Sequence, residues 1–98
     1  MIAHDKHERK LVSETAKYGF ELLGVIPFLN ADKFCFYKKH KGILYNIEII
    51  FNGEGYCLKL GKENVFKVID MKYTLTWKTL FDNISLFVSK KGGGNVQD

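Results

Sequence analysis

The sequence lacks any apolar run that approaches the ~18 residues needed to span a bilayer, so we expect no membrane insertion. It also lacks the composition of a disordered tail, because 46% of its residues are apolar and its mean hydropathy is -0.14. The first residues show no basic segment followed by an apolar one, which predicts a cytoplasmic protein without a secretory signal. A chain of 98 residues with this apolar content can build one core.

Cysteine and arginine are both scarce. Cys35 and Cys57 form no CxxC pair and have no nearby histidine spacing typical of a metal site, and reduced thiols suit the cytoplasm. Arg9 is the one arginine among 15 cations, whereas base readout and bidentate phosphate binding usually need arginine. Any nucleic-acid binding is therefore expected to involve the phosphate backbone alone.

The net charge of +4 is concentrated in one short segment. Residues 33–47 contain no carboxylate and four cations, Lys33, Lys38, Lys39 and Lys41. Such a segment can attract phosphates, an anionic membrane surface or an acidic protein. Lysines on a hairpin also protect an edge strand from aggregation, so a purely structural role for these lysines is an alternative to binding.

The first predicted element is a helix over residues 5–23. Asp5 and Glu8 have the spacing of a capping box, and Gly24 followed by Pro27 is typical of a helix end. Between them, apolar positions recur every three or four residues and predict one buried helix face, at Leu11, Thr15, Tyr18 and Leu22.

Three strands are predicted next, over residues 33–40, 43–51 and 55–60. If Asn52 and Gly53 form a two-residue turn, Ile49 lies opposite Tyr56 and Ile47 opposite Leu58. One sheet face is then consistently apolar and should form the core, with Phe34, Phe36, Ile47, Ile49, Tyr56 and Leu58.

The remaining chain predicts a fourth strand over 65–69, extending towards Tyr73, with a short helix as the alternative. Residues 76–90 predict a second helix, and the glycine-rich residues 92–98 a disordered tail. The expected fold is a single α+β domain over residues 1–91. It has two layers, with an N-terminal helix, a three- or four-stranded antiparallel meander and a C-terminal helix packed on one sheet face.

The predicted register also places both cysteines on the sheet face away from the helices. They lie on the two strands that flank the strand of Glu48, and strands next but one are ~9.5 Å apart. Because a disulfide needs Cα atoms within ~7 Å, Cys35 and Cys57 are predicted to be free thiols.

Candidate catalytic and metal-binding groups are sparse. His4 and His7 on one helix turn supply at most two ligands, and the row of Cys35, Glu48 and Cys57 separates its sulfur atoms too widely for one zinc ion. His40 stands at a turn, several residues from Cys35, and no paired carboxylates suit acid–base chemistry. We therefore expect no enzyme, no metal and no cofactor.

The function favoured by these features is protein–protein contact. The uncovered sheet face and an exposed edge of the 33–40 strand suit a non-enzymatic binding module, such as an adaptor or inhibitor of a larger partner, with homodimerisation as one mode. Phage and mobile-element accessory proteins are often of this size and kind. The alternative is a sequence-nonspecific nucleic-acid binder that uses the basic 33–41 hairpin. The expected contact residues are Tyr37, Lys38, Lys39, His40, Lys41, Leu44, Asn46, Glu48 and Ile50.

Overall fold

The computed structural model describes residues 5–91, with side chains described for residues 6–89. Its fold is α+β, and it contains one antiparallel sheet of five strands in the order β1-β2-β3-β4-β5, where three or four were predicted. The predicted tail over 92–98 and His4 lie outside the described residues. The elements are α1 (Asp5–Ala16), β1 (Glu21–Pro27), β2 (Asp32–His40), β3 (Ile43–Phe51), β4 (Tyr56–Lys62), β5 (Val65–Leu75) and α2 (Trp77–Lys91).

The prediction of one helix over residues 5–23 is wrong, because α1 ends at Ala16. Gly19 adopts a positive φ of 88°. The N–H of Gly19 donates to the carbonyl of Ala16 at 3.0 Å, and the N–H of Phe20 donates to that of Thr15 at 3.2 Å. This pair of bonds is the Schellman motif, in which a left-handed residue satisfies the last helical carbonyls and turns the chain away.

Gly19→Ala is expected to destabilise the chain by ~1 kcal/mol, because an L-residue in the left-handed region costs roughly that amount. The added Cβ would stand 3.4 Å from the Lys38 side chain, which is an ordinary contact distance, so steric conflict adds little to this cost. Chemical denaturation followed by circular dichroism measures the loss. Equal midpoints for Gly19→Ala and wild type would contradict the assignment of Gly19 as the residue that ends α1.

The segment after Gly19 forms β1, which pairs with β2. Leu22 and Val25 lie opposite Phe36 and Phe34 and join the core face, while a bulge between Leu22 and Gly24 interrupts the pairing. The predicted exposed edge on the 33–40 strand is therefore wrong, since β1 covers it. Within residues 5–91, the sheet's free edges are the outer sides of β1 and β5.

The hairpin of β2 and β3 is regular along its whole length. Phe34 lies opposite Ile49 and Phe36 opposite Ile47, with Lys41 and Gly42 as the two turn residues. The predicted core face is confirmed, because all six of its predicted side chains are buried.

The turn between β3 and β4 differs from its prediction by two residues. Phe51 pairs with Tyr56, so residues 52–55 form a four-residue loop and Ile49 lies opposite Leu58. The Asn52 side chain stabilises this loop, because its Oδ1 accepts hydrogen bonds from the N–H groups of Glu54 and Gly55, both at 2.9 Å. A shift of two keeps every side chain on its predicted face.

β5 is a strand, which confirms the fourth-strand prediction and contradicts the alternative of a short helix. After Val68 its pairing with β4 becomes irregular, and Tyr73 takes a φ of 58°. The Asp70 carboxylate holds this irregular segment by accepting hydrogen bonds from the N–H groups of Lys72 at 3.0 Å and Thr74 at 3.1 Å. A hydrogen bond from the Thr74 hydroxyl lowers the pKa of Asp70, and these backbone bonds lower it further.

Both helices pack on the same face of the sheet. Leu11 of α1 and Leu80 and Ile84 of α2 are fully buried in one core cluster with the sheet residues. α2 begins one residue after Thr76, whose hydroxyl accepts a hydrogen bond from the N–H of Thr79 at 3.3 Å, as expected for a residue that caps a helix N-terminus. Neither α1 nor α2 covers the opposite sheet face.

Candidate functional site

The helix-free side of the sheet, called the open face below, is the candidate site. Strand alternation places on it residues from all five strands. Its principal side chains are Glu21, Ile26, Lys33, Cys35, Tyr37, Lys39, Leu44, Asn46, Glu48, Ile50, Cys57, Lys59, Phe66 and Val68. Six predicted contact residues lie there: Tyr37, Lys39, Leu44, Asn46, Glu48 and Ile50.

A row of three charged side chains crosses the middle of the open face. The Glu48 carboxylate on β3 lies 3.0 Å from the Lys33 ammonium on β2 and 3.6 Å from the Lys59 ammonium on β4. The Glu48 side chain is 21% exposed and that of Lys59 is 36% exposed. This ion row has two cations and one anion, so it retains one positive charge, and Lys59 is its more accessible cation.

Apolar side chains surround the ion row on the side of β5. Ile50, Val68 and Met71 line a concavity of about 210 Å³ together with Phe28, and Cys57 lies in its wall, only 1% exposed. Ile26, Phe28, Phe66, Val68 and Met71 all remain substantially exposed. The open face therefore combines an apolar concavity with a charged centre, and it is more apolar than the sequence predicted.

The sequence interpretation missed the contributions of β1, the following loop and β5 to this face. Phe66 of β5 is one such residue. Its ring covers Gly61 of β4 so closely that a Cβ there would stand 2.5 Å from the ring. The Lys59 ammonium lies 5.0 Å from the same ring centroid. The alternation of Phe66 and Val68 in the sequence was the signal that could have placed both residues on this face.

The basic 33–41 hairpin does not form one cationic surface. Lys38 lies on the helix side, where its ammonium donates to the Tyr18 carbonyl at 2.9 Å and stands 5.4 Å from the Phe20 ring centroid. Burial lowers the pKa of Lys38. His40 shares the helix side, Lys41 occupies the turn, and Lys39 lies on the open face. The predicted contact residues Lys38 and His40 are thus separated from the others by the sheet.

Both thiols have raised pKa values. Burial raises the pKa of Cys35, as does the neighbouring Glu48 carboxylate, whereas Lys33 lowers it. Burial likewise raises the pKa of Cys57. A raised pKa keeps a thiol protonated near neutral pH. His40 cannot act as a base for Cys35, because the two side chains lie on opposite faces of β2.

Both cysteines are free, as predicted, and β3 separates their strands. Over residues 5–91 the structure contains no group of three or more His, Cys, Asp and Glu side chains that could hold a metal ion. Neither α1 nor α2 is long and apolar enough to cross a membrane.

No protein-family model matches the chain, and neither a curated protein nor a solved structure matches it significantly. The interpretation of the open face consequently depends on its own geometry and chemistry.

Proposed function

We propose that the chain is a non-enzymatic binding module that docks a partner protein on its open face. The observation that carries this proposal is the apolar concavity beside the ion row, in which Phe28, Val68 and Met71 remain exposed around a half-buried Glu48. Contiguous exposed apolar surface bordered by polar groups is typical of protein interaction sites.

Charge complementarity favours a partner surface that is apolar and carries carboxylates. Three ammonium groups on the open face, those of Lys33, Lys39 and Lys59, stand against the two carboxylates of Glu21 and Glu48. Lys59 is the cation best placed to receive a carboxylate of the partner, because it is more exposed than Lys33 and lies farther from Glu48. Complementary charge of this kind sets specificity and association rate.

Selecting a displayed library of random peptides on the immobilised chain tests this proposal. We expect enrichment of peptides that combine apolar side chains with Asp or Glu. Met71→Asp should weaken their binding by about tenfold or more, because it places a carboxylate in the concavity. Lys59→Gln should weaken binding and reduce its dependence on salt.

Leu23→Asp is the matched control, since Leu23 is at least as exposed as Met71 but lies outside the concavity. Peptides that bind wild type and Met71→Asp equally would refute the open-face site. Binding of a labelled RNA or DNA duplex that is lost in a Lys39→Ala, Lys41→Ala variant and kept in Met71→Asp would instead support the nucleic-acid alternative.

A further inference from the structure

The outer edge of β5 is free along its regular first part, before the irregular segment around Asp70. β5 is the last strand of the sheet, and no described segment pairs with its outer side. Its regular part, Val65 to Val68, contains no proline and one charge, and Val65 is 75% exposed. Folded proteins usually protect such an edge with charge, proline or a bulge, because its unpaired backbone groups can pair with another strand.

The hairpin geometry determines which backbone groups of β5 point outwards. Lys62 and Val65 pair directly across the two turn residues Glu63 and Asn64. The two residues that flank a two-residue turn each donate a backbone hydrogen bond to the other. Along each strand, the N–H and C=O groups of successive residues then point alternately towards the partner strand and away from it. The N–H and C=O groups of Phe66 and Val68 therefore point away from β4.

An apolar groove accompanies this edge on the helix side of the sheet. Its cavity of about 570 Å³ has an apolar lining from Val65 and Ile69 of β5 and Leu86 and Phe87 of α2, and a polar lining from Lys62, Glu63, Lys67 and Asn83. Leu86 is 55% exposed at its rim. The backbone edge and the apolar groove thus lie side by side, and a strand added to β5 would extend the floor of this groove.

We propose that β5 pairs antiparallel with β5 of a second copy of this chain, around a two-fold axis through Phe66. A strand of this kind is self-complementary, since each copy supplies the donors and acceptors that the other lacks. Registers that pair side chains of the same sheet face place both α2 helices on one side, so that the two grooves become neighbours across the new strand pair.

Side-chain charges select the register among these arrangements. An axis at Lys67 would set two ammonium groups directly opposite each other, which is destabilising. An axis at Phe66 instead places Val65 opposite the partner's Lys67, so that the two Lys67 ammonium groups stand only diagonally across from each other. An axis at Val68 would bring the irregular segment around Ile69 into the contact. Phe66 is therefore the residue on the axis.

Two substitutions at one exposed position test this pairing. Val65→Lys opposes the partner's Lys67 with a second cation and should weaken the dimer, whereas Val65→Asp opposes it with an anion and should retain it. Because the charge contrast occurs twice per dimer, we expect dissociation constants that differ by about tenfold or more. Light scattering over a wide concentration range, at low and high salt, measures the mass against 11.3 kDa for one chain.

A Phe66→Cys variant reports the register independently of these charges. Its thiols should lie roughly 4.5–5.5 Å apart at their Cβ atoms, so a short bismaleimide should link two copies. Wild type is the control, since Cys57 is buried and Cys35 half-buried.

Wild type with the mass of one chain at all concentrations overturns the proposal, as does equal weakening by Val65→Lys and Val65→Asp. Val65 lies on the helix side, and Met71→Asp should leave the dimer intact. The β5 pairing and the open-face site can thus fail separately.

Discussion

Gly55→Ala should lower the free energy of unfolding by about 3 kcal/mol or more, the largest effect expected for so small a change. A Cβ at Gly55 would stand 2.1 Å from the Tyr73 carbonyl oxygen and 2.9 Å from its carbonyl carbon. Both obstructing atoms are backbone, and the Asp70 carboxylate fixes the neighbouring N–H groups of Lys72 and Thr74. Relief of the clash therefore requires the irregular segment of β5 or the 52–55 loop to move.

Urea denaturation monitored by tryptophan fluorescence measures this loss, since Trp77 lies near the end of β5 and packs beside Tyr56. Gly24→Ala is the matched control, because no atom lies within 4 Å of a Cβ built there. It should change stability by well under ~1 kcal/mol. If the two alanine variants unfold at the same urea concentration, the close approach of Gly55 to Tyr73 does not exist in solution.

Phe34→Ala should cost about 3–5 kcal/mol, because it removes a fully buried ring and leaves a cavity. Phe34 lies at the centre of β2, between Val25 of β1 and Ile49 of β3, in the cluster that includes Leu11. A small domain has a total stability of ~5–15 kcal/mol, so the variant is expected to be partly unfolded at room temperature.

Thermal unfolding measured by circular dichroism provides the comparison for Phe34→Ala. Phe28→Ala serves as its control, because the Phe28 ring is half exposed in the loop after β1 and its removal creates no internal cavity. A melting temperature for Phe34→Ala within a few degrees of that of Phe28→Ala would refute a core centred on β2.

The core was predictable because strand alternation is a local signal. Phe34 and Phe36 share one face of β2 whatever the turn, and Ile47 and Ile49 meet them across a two-residue hairpin loop. The loop after β3 is two residues longer than predicted, but this error did not affect the predicted core. A shift of two residues leaves every side chain on its predicted face.

The first helix was overpredicted because its apolar period continues past its true end. Leu22 falls at the spacing of a helix face that starts at Leu11, although it belongs to β1. Gly19 was the available signal, and its positive φ together with the Lys38 side chain at the Tyr18 carbonyl fixes the end of the turn. Lys38 belongs to a strand far along the chain, so local spacing could not reveal that contact.

The candidate site was predictable in part. Alternation placed Tyr37, Leu44 and Ile50 on the open face, but the same rule separates Lys38 from Lys39, and the cluster of lysines in sequence obscured this. Pairing of Glu48 with both Lys33 and Lys59 depends on the register of three strands, which one wrong turn was enough to shift.

The two outer strands of the sheet differ in a way that bears on the proposed pairing of two copies. β1 carries a bulge between Leu22 and Gly24 and ends at Pro27, which has no N–H to donate. β5 is regular over its first residues. A chain with one receptive edge and one blocked edge has a valency of one, so the proposed pairing through β5 would stop at two copies and would not propagate into a fibre.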